Sequence, residues 1–247
     1  MKKAEINEGA QMGVCRIQKR CPAGNLGGRR SGNNQCYKTV GCGCLVKLQI
    51  PKQPYMYAII TADKVFQGDF DIQNYRVDVK KSDSKFKTFE LQLAFRGEIL
   101  KEPHFGLTVI PLDHQSSVFR HLGLFKKKCS VLKHFFNVEF LGGYINGLEC
   151  YMVADKPDPS DNVQSFSVKR HDLTRDSRDF SQFYLSEFDF PSCRRFPFGA
   201  AILQRADKTW SLVGVLSSRS SVGEAFGFQA RPLWLKRNRL NNLCSGK

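Results

Sequence analysis

Two neighbouring runs decide how the fold is interpreted: FPFGAAIL at residues 196–203 and WSLVGVLS at residues 210–217. Each contains a strand-length series of apolar residues. The Phe-Gly-Ala-Ala bend before the first strand is tight, yet bulky groups stand directly in front of it, namely Arg194, Arg195 and Phe196. A bend of this kind usually presents a reactive side chain, so its crowding needs an explanation.

The rest of the chain from Gly41 onward shows the same pattern of short apolar runs. Short apolar or alternating runs are separated by turn formers such as PKQP, QGD and KEPH, which predicts strands rather than helices. The runs are CLVKLQI (44–50), YMYAIIT (55–61), IQNYRVDV (72–79), FKTFELQLAF (86–95), FGLTVIPL (105–112), HFFNVEFLGGY (134–144), LECYMVA (148–154), VQSFSVKRH (163–171), SQFYLSEFDF (181–190) and EAFGFQA (224–230). Only ARPLWLKRNRLNNLC (230–244) has helical spacing, with Pro232 in a first-turn position. We therefore expect an all-β fold with one C-terminal helix.

Composition restricts the classes of function. The 247 residues, 41% of them hydrophobic and 12% aromatic, are enough to build a sizeable core and exclude a mainly disordered protein. The formal net charge of +15 favours encounters with acidic partners such as nucleic acid, anionic membranes or acidic proteins, without choosing among them.

The N-terminal segment carries no apolar signal region, because Glu5, Asn7 and Glu8 interrupt it at once, and no window is apolar enough to span a membrane. We expect an intracellular protein, cytoplasmic or nuclear. Residues 1–40, rich in Gly and Asn, predict an arm or loop. Residues 41–130 then form a first unit with its connector, and residues 131–247 a second unit with the terminal helix.

The nine cysteines predict free thiols in a reducing compartment, because their number is odd and no signal peptide is present. Five of them fall early in the chain: Cys15, Cys21, Cys36, Cys42 and Cys44. Their spacings contain no CxxC pair, and the first histidine is His104, so a zinc site is disfavoured and idle or buried thiols are favoured. We predict neither a metal nor a cofactor.

Three segments, in this order, resemble the trypsin-like serine peptidase family. GCGCLVKLQIPKQPYMYAIITADKVF (41–66) resembles the strand pair that ends in Thr-Ala-x-His, and HFGLTVIPL (104–112) resembles the strand that begins with the catalytic aspartate. FPFGAAIL followed by WSLVGVLS resembles the Gly-x-Ser-Gly-x-Pro nucleophile turn and the next strand. The likeness spans residues 41–235 and implies two packed six-stranded antiparallel β-barrels with a C-terminal helix.

None of the family's three catalytic side chains is present at the matching positions of this sequence. The histidine position holds Lys64, the aspartate position holds Gly106 and the serine position holds Phe198. A serine peptidase needs a hydroxyl nucleophile, an imidazole and a carboxylate, and a benzyl ring has no nucleophilic atom. The resemblance therefore implies a binding or regulatory module without hydrolysis, with a protein or peptide as its partner.

The surroundings of the implied site are altered as well. The oxyanion hole would use the backbone N–H groups of Phe196 and Phe198, and Pro197 between them fixes φ. The substrate-binding strand, which in the family runs Ser-aromatic-Gly, reads Ser217, Ser218 and Arg219. A long arginine where glycine belongs predicts a partly filled cleft.

Two alternatives stay open. An active protease with a rearranged site would draw its base from His104, His114, His121, His134 or His171 and its nucleophile from Ser192 or Cys193. A nucleic-acid or anionic-surface binder would use two basic clusters. These clusters include Lys126, Lys127, Lys128, Lys133, Lys236, Arg237 and Arg239. Nothing in the sequence indicates an oligomeric state.

Overall fold

The computed structural model describes part of the chain, most of it strand. The described residues are 12–22, 36–48, 56–66, 70–82, 85–102, 106–113, 116, 135–138, 148–155, 163–170, 182–186, 197–206, 209–219 and 225–229.

Fourteen strands lie in the described residues. They are β1 (Val14–Arg20), β2 (Tyr37–Leu48), β3 (Met56–Ala62), β4 (Tyr75–Ser82), β5 (Lys85–Glu90), β6 (Leu100–Glu102), β7 (Leu107–Leu112), β8 (Phe136–Val138), β9 (Leu148–Val153), β10 (Val163–Arg170), β11 (Gln182–Ser186), β12 (Ala201–Ala206), β13 (Thr209–Arg219) and β14 (Ala225–Gln229). The helical elements described are the 3₁₀ turns Asp63–Phe66 and Ile72–Asn74 and the one-turn helix α1 (Leu91–Ala94). The all-β prediction is confirmed in this coarse form.

The first half of the molecule consists of β1 to β7, paired antiparallel in the order β5-β4-β1-β2-β3-β7-β6. The segment that follows β5 and α1 returns to the other end of this order, where Phe95 forms an antiparallel bridge to Leu112 of β7. Two backbone hydrogen bonds flank that bridge, from Arg96 N–H to Pro111 O (3.1 Å) and from Asp113 N–H to Ala94 O (2.8 Å).

The second half consists of β9 to β14, and its pairings return to their starting point. The antiparallel order β9-β10-β11-β14-β13-β12 is completed by a pairing of β12 with β9. Every strand of this ring therefore has two neighbours, and no edge is left exposed among them.

The short strand β8 departs from the predicted arrangement of two packed six-stranded antiparallel barrels. It pairs parallel with β2 through Val46 and Phe136, and parallel with β13 through Leu212 and Val138. The described strands consequently form one mixed fourteen-stranded sheet. The sequence pattern of β8 matched an ordinary barrel strand because an apolar run reveals burial but not the direction or number of its partners.

The predicted arm at residues 1–40 differs from the structure, which places β1 and the start of β2 inside it. β1 has the sequence VCRIQKR, whose charged residues obscure the strand pattern, yet Cys15 and Ile17 are fully buried. The strand is stabilised by partners on both sides, because it pairs with β2 and with β4.

The buried apolar side chains form two cores. One lies inside the first half and contains Ile59, Tyr75 and Ile110. The other is shared, because Val46 of β2 and Val109 of β7 pack in the same cluster as Ile202 of β12. Burial of the shared cluster holds the two halves together through the hydrophobic effect.

Some predictions fall on residues outside the described part. These include the C-terminal helix at 230–244 and most of the connector before residue 131. Among the described helices, none is long and apolar enough to cross a membrane.

Candidate functional site

Lys64 stands on the 3₁₀ turn that follows β3. Val65 and Phe66 of this turn are buried, whereas the Lys64 side chain is exposed. The turn is fastened to the start of β7, because the Asp63 N–H donates to Gly106 O at 2.7 Å and the Thr108 hydroxyl donates to Asp63 Oδ1 at 3.1 Å. Val65 and Phe66 point into the core and the Asp63 backbone is hydrogen-bonded, so the Lys64 side chain of this turn faces solvent.

Gly106 directly precedes β7 and has φ of 60°, in the left-handed region. The position contributes a carbonyl to Asp63 and no side chain to the site. Glycine suits it because most other residues pay a steric penalty in this conformation.

Phe198 occupies a tight turn from Pro197 to Ala200. The Ala200 N–H donates to Pro197 O at 3.2 Å, and Gly199 has φ of 79°, which is the value that the third position of a type II turn requires. A Cβ at Gly199 would collide with the Cys42 carbonyl and approach Thr61 Oγ1 to 2.5 Å. The turn thus needs glycine both for its conformation and for space.

This turn joins the two halves of the molecule, and we call the contact the turn junction. The Cys42 N–H of β2 donates to Phe198 O at 2.9 Å, and the Gly199 N–H donates to Leu216 O of β13 at 2.8 Å. The Phe198 ring packs against the core of the first half, although the residue belongs to the second. Backbone bonds and apolar contact together fix the position of residue 198.

The structure brings Lys64 and Phe198 together. The Lys64 Nζ lies 5.4 Å from the centre of the Phe198 ring, within the range of a cation–π contact. Gly106 is connected to the same place through its hydrogen bond with Asp63. Lys64 thus contacts Phe198 directly, whereas Gly106 is linked only to Asp63, the residue before Lys64.

Two buried threonines complete the polar framework, and sequence reasoning missed both. The Thr61 hydroxyl donates to Cys42 O at 2.6 Å, and Thr108 contacts Asp63 as described. Both threonines are fully buried, so they support the backbone around Lys64 and Phe198 from the interior of the protein. Threonine in an apolar strand carries no motif, and only the pairing of β3 with β7 places them side by side.

The predicted cleft-lining residues lie at the end of β13. Ser217 is buried, and Ser218 and Arg219 pair through the backbone with Phe226 and Ala225 of β14.

The remaining predicted site residues lie outside the described part of the chain. They are the oxyanion-position residue Phe196, the candidate bases His104, His114, His121, His134 and His171, the candidate nucleophiles Ser192 and Cys193, and the basic residues Lys126, Lys127, Lys128, Lys133, Lys236, Arg237 and Arg239.

The five early cysteines separate into two groups. Cys15, Cys42 and Cys44 are fully buried, and burial raises the pKa of the Cys15 and Cys44 thiols well above the ordinary value, so both stay protonated at neutral pH. Cys21 and Cys36 lie at the end of the β1–β2 hairpin, where Cys36 is exposed.

A second contact between the halves, the ionic junction, consists of Arg16, Asp78 and Asp155. The guanidinium of Arg16 lies 3.3 Å from Asp155 Oδ2 and 4.0 Å from Asp78 Oδ2. Burial raises the pKa of the Asp155 carboxyl, although the Arg16 charge opposes that shift. Because Arg16 Nε and Asp155 Oδ2 are buried without a hydrogen-bond partner in the described structure, the pair is an imperfect charge contact.

The chain was compared with known proteins. No protein-family model and no curated protein matches the sequence. Its structure is similar to that of an HtrA-type protease, AlgW with a decapeptide, with a TM-score of 0.55 and 12% sequence identity. The match covers 98% of this chain and 68% of that protein. The fold is trypsin-like. At such identity the likeness concerns the fold alone and carries no activity with it.

Proposed function

We propose that this trypsin-like chain is a pseudoprotease, a binding or regulatory module that keeps the peptidase scaffold without its hydrolytic chemistry. In this proposal Lys64, Gly106 and Phe198 occupy the positions of the family's histidine, aspartate and serine. In this proposal the first half, β1 to β7, corresponds to the family's first barrel, and the second half, β9 to β14, corresponds to its second barrel.

The observation that carries the proposal is the contact between Lys64 and Phe198. An acyl-transfer enzyme needs a nucleophilic oxygen or sulfur with a base in hydrogen-bond reach. Here a lysine side chain packs over an aromatic ring at 5.4 Å, and the ring has no proton that a base would remove to create a nucleophile.

The retained turn also supports a modified peptidase rather than an unrelated β-protein. Gly199 still has the positive φ that lets a nucleophile turn project its preceding residue, and two backbone hydrogen bonds hold the turn against β2 and β13. The scaffold positions residue 198 rigidly, but the residue offers packing instead of chemistry.

A protein or peptide is the class of partner that we propose. The HtrA-type neighbour is recorded with a decapeptide, and we infer that the corresponding cleft of this chain retains part of a peptide-binding surface. We place the protein in a reducing, intracellular compartment, on the basis of its odd number of cysteines.

Labelling with a fluorophosphonate probe tests the loss of chemistry. We expect no labelling of the purified wild-type chain and no cleavage of a broad peptide library. Robust labelling of any residue of the wild-type chain, for example Ser192, would contradict the proposal. That result would favour the protease with a rearranged site.

A matched variant tests whether the three positions are equivalent to the family's triad. The triple substitution Lys64→His, Gly106→Asp and Phe198→Ser restores the side chains that the resemblance implies. Aspartate is among the residues that tolerate positive φ, so Gly106 is replaceable in this way. We expect the triple variant to gain probe labelling at residue 198, with circular dichroism as the check of folding, whereas Phe198→Ser alone stays unlabelled.

The net charge of +15 favours a second candidate function, binding to a polyanion. Lysine and arginine neutralise phosphates and release counterions, so such binding weakens steeply as salt rises. A titration of the chain with single-stranded DNA and with anionic vesicles over a series of salt concentrations tests it. Absence of affinity at low ionic strength removes this candidate.

A further inference from the structure

A pair of thiols lies at the end of the β1–β2 hairpin, away from the candidate site. Arg20 and Tyr37 form the last register pair of the hairpin, and one step further the Cys21 N–H donates to Cys36 O at 2.8 Å. The two Sγ atoms are 2.7 Å apart, with one thiol donating to the other.

This separation nearly meets the geometry of a covalent bond. A disulfide has an S–S length of about 2.05 Å, so the two sulfurs need to approach each other by less than about 1 Å. The backbone hydrogen bond between the two residues holds them at that spacing. The juxtaposition exists in the folded chain before any oxidation.

The pair is also the accessible one among the early cysteines. Cys36 is exposed and Cys21 is half-buried, whereas Cys15, Cys42 and Cys44 are fully buried. The hydrogen bond with Cys36 raises the pKa of the Cys21 thiol, while the charge of Lys38 opposes this shift. We therefore expect the Cys21 thiol to react slowly at neutral pH and faster in mildly alkaline solution.

We propose that Cys21 and Cys36 are a dithiol modification site that low-molecular-weight disulfides oxidise to an internal disulfide. The thiolate of Cys21 or Cys36 attacks one sulfur of glutathione disulfide and releases one glutathione thiolate. The other cysteine then attacks the cysteine sulfur of this mixed disulfide and releases the second glutathione thiolate. Two protein thiols are oxidised, one small disulfide is reduced, and the two protons that the cysteines lose are taken up by the two glutathione thiolates.

The proposal is independent of the pseudoprotease function, because it uses neither Lys64 nor Phe198. In a reducing compartment an accessible dithiol of this kind cycles between its two states instead of staying oxidised. Oxidation would covalently close the chain between residues 21 and 36. We expect it to raise the melting temperature by about 5 °C, because a closed loop of this size loses conformational entropy in the unfolded state.

Peptide mapping tests the pairing directly. The full chain carrying Cys129→Ser, Cys193→Ser and Cys244→Ser is reduced, incubated with glutathione disulfide at mildly alkaline pH, alkylated and digested with trypsin. Arg20, Arg29, Arg30 and Lys38 supply the cleavage sites, so the proposed bond appears as residues 21–29 linked to residues 31–38. We expect this linked peptide as the main product, and its loss after treatment with dithiothreitol.

Single substitutions supply the control. Cys36→Ser removes the resolving thiol, so its Cys21 should accumulate a lasting mixed disulfide with glutathione, and Cys21→Ser should do the same at Cys36. Repeating the reaction of the intact pair in urea should lower the yield of the linked peptide, because unfolding destroys the pre-positioning.

Three results would overturn the proposal. They are no reaction at either cysteine, mixed disulfides that persist with both cysteines present, and a yield of the linked peptide that is the same in urea as in buffer. The first means that the pair is not reactive, and the other two mean that the folded hairpin does not bring the sulfurs together.

Discussion

The turn junction and the ionic junction both connect the first half of the molecule to the second, but by different physical means. The turn junction uses backbone hydrogen bonds and a half-buried aromatic ring, and its central residue, Gly199, leaves no space for a side chain. The ionic junction uses three charged side chains, one of which, Asp155, has its pKa raised by burial.

The difference indicates which contact is fixed by conformation and which depends on solution conditions. Backbone hydrogen bonds do not titrate near neutral pH, so the turn junction should be insensitive to pH and salt. A buried ion pair gains little net stability, yet removing one partner leaves an uncompensated charge. The junctions should therefore respond differently to substitution.

The largest effect is expected at Gly199. The substitution Gly199→Ala introduces a Cβ against the Cys42 carbonyl in a backbone conformation that disfavours it, and should lower the free energy of unfolding by about 4 kcal/mol or more. Urea denaturation measures the loss.

Gly97→Ala is the matched control for this substitution. Gly97 has φ of 87° but is exposed, so its loss should be limited to the conformational penalty of about 1–2 kcal/mol. Equal losses at the two glycines would show that the turn junction imposes no steric demand.

A smaller effect is expected at Arg16. The substitution Arg16→Met keeps an unbranched apolar stem but leaves Asp78 and Asp155 without their shared cation, and should cost about 2 kcal/mol of stability. Arg96→Met is the surface control, because its ion pair with Asp113 is largely exposed and should contribute less than about 1 kcal/mol. A loss at Arg16 no greater than at Arg96 would contradict the buried charge contact.

The pH dependence of the ionic junction should be opposite to that of an ordinary salt bridge. The folded chain binds the Asp155 proton more tightly than the unfolded chain, whose carboxyl has a pKa of about 3.9, so ionisation opposes folding. The stability due to the protonated carboxyl is present below that value and is lost as pH rises through the higher folded pKa.

Asp155→Asn isolates this contribution, because the amide does not ionise. The free energy of unfolding of the variant minus that of the wild type should increase as pH rises from about 4 and should level off above the folded pKa. A difference that decreases over the same interval would mean that attraction to Arg16 outweighs burial.

The smallest effect is expected at Lys64. The substitution Lys64→Met removes the charge over the Phe198 ring and should cost less than about 1 kcal/mol, because the cation is exposed to water. Lys64→Arg retains a cation and should match the wild type. A much larger loss in the methionine variant would give the cation–π contact a structural role that the turn junction does not require.

The strands were largely predictable, because alternating apolar residues bounded by turn formers reflect burial on one face of a sheet. β1 escaped prediction because VCRIQKR carries three cationic residues, and its two partners, β2 and β4, leave no mark on its own sequence. The joining role of β8 escaped for a similar reason, since its short apolar run records burial and not the direction of its neighbours.

Only the resemblance related Lys64 to Phe198 before their contact was seen. No local pattern relates Lys64 to Phe198, and their contact arises from the pairing of strands far apart in the chain. The support of Asp63 by Thr108 and the pairing of Arg16 with Asp155 were not predictable, because single threonines and aspartates in strands carry no distinctive spacing.

The position of β8 has a consequence for how the chain folds. This strand pairs with β2 and with β13, contacts that join residues 46 and 136 and residues 138 and 212. Contacts between such distant residues form late and slowly, because closing a long loop costs chain entropy before the contact energy is gained. The ring of β9 to β14 closes by itself, but β8 and the shared apolar core join it to the first half, so we expect the molecule to unfold as one cooperative unit.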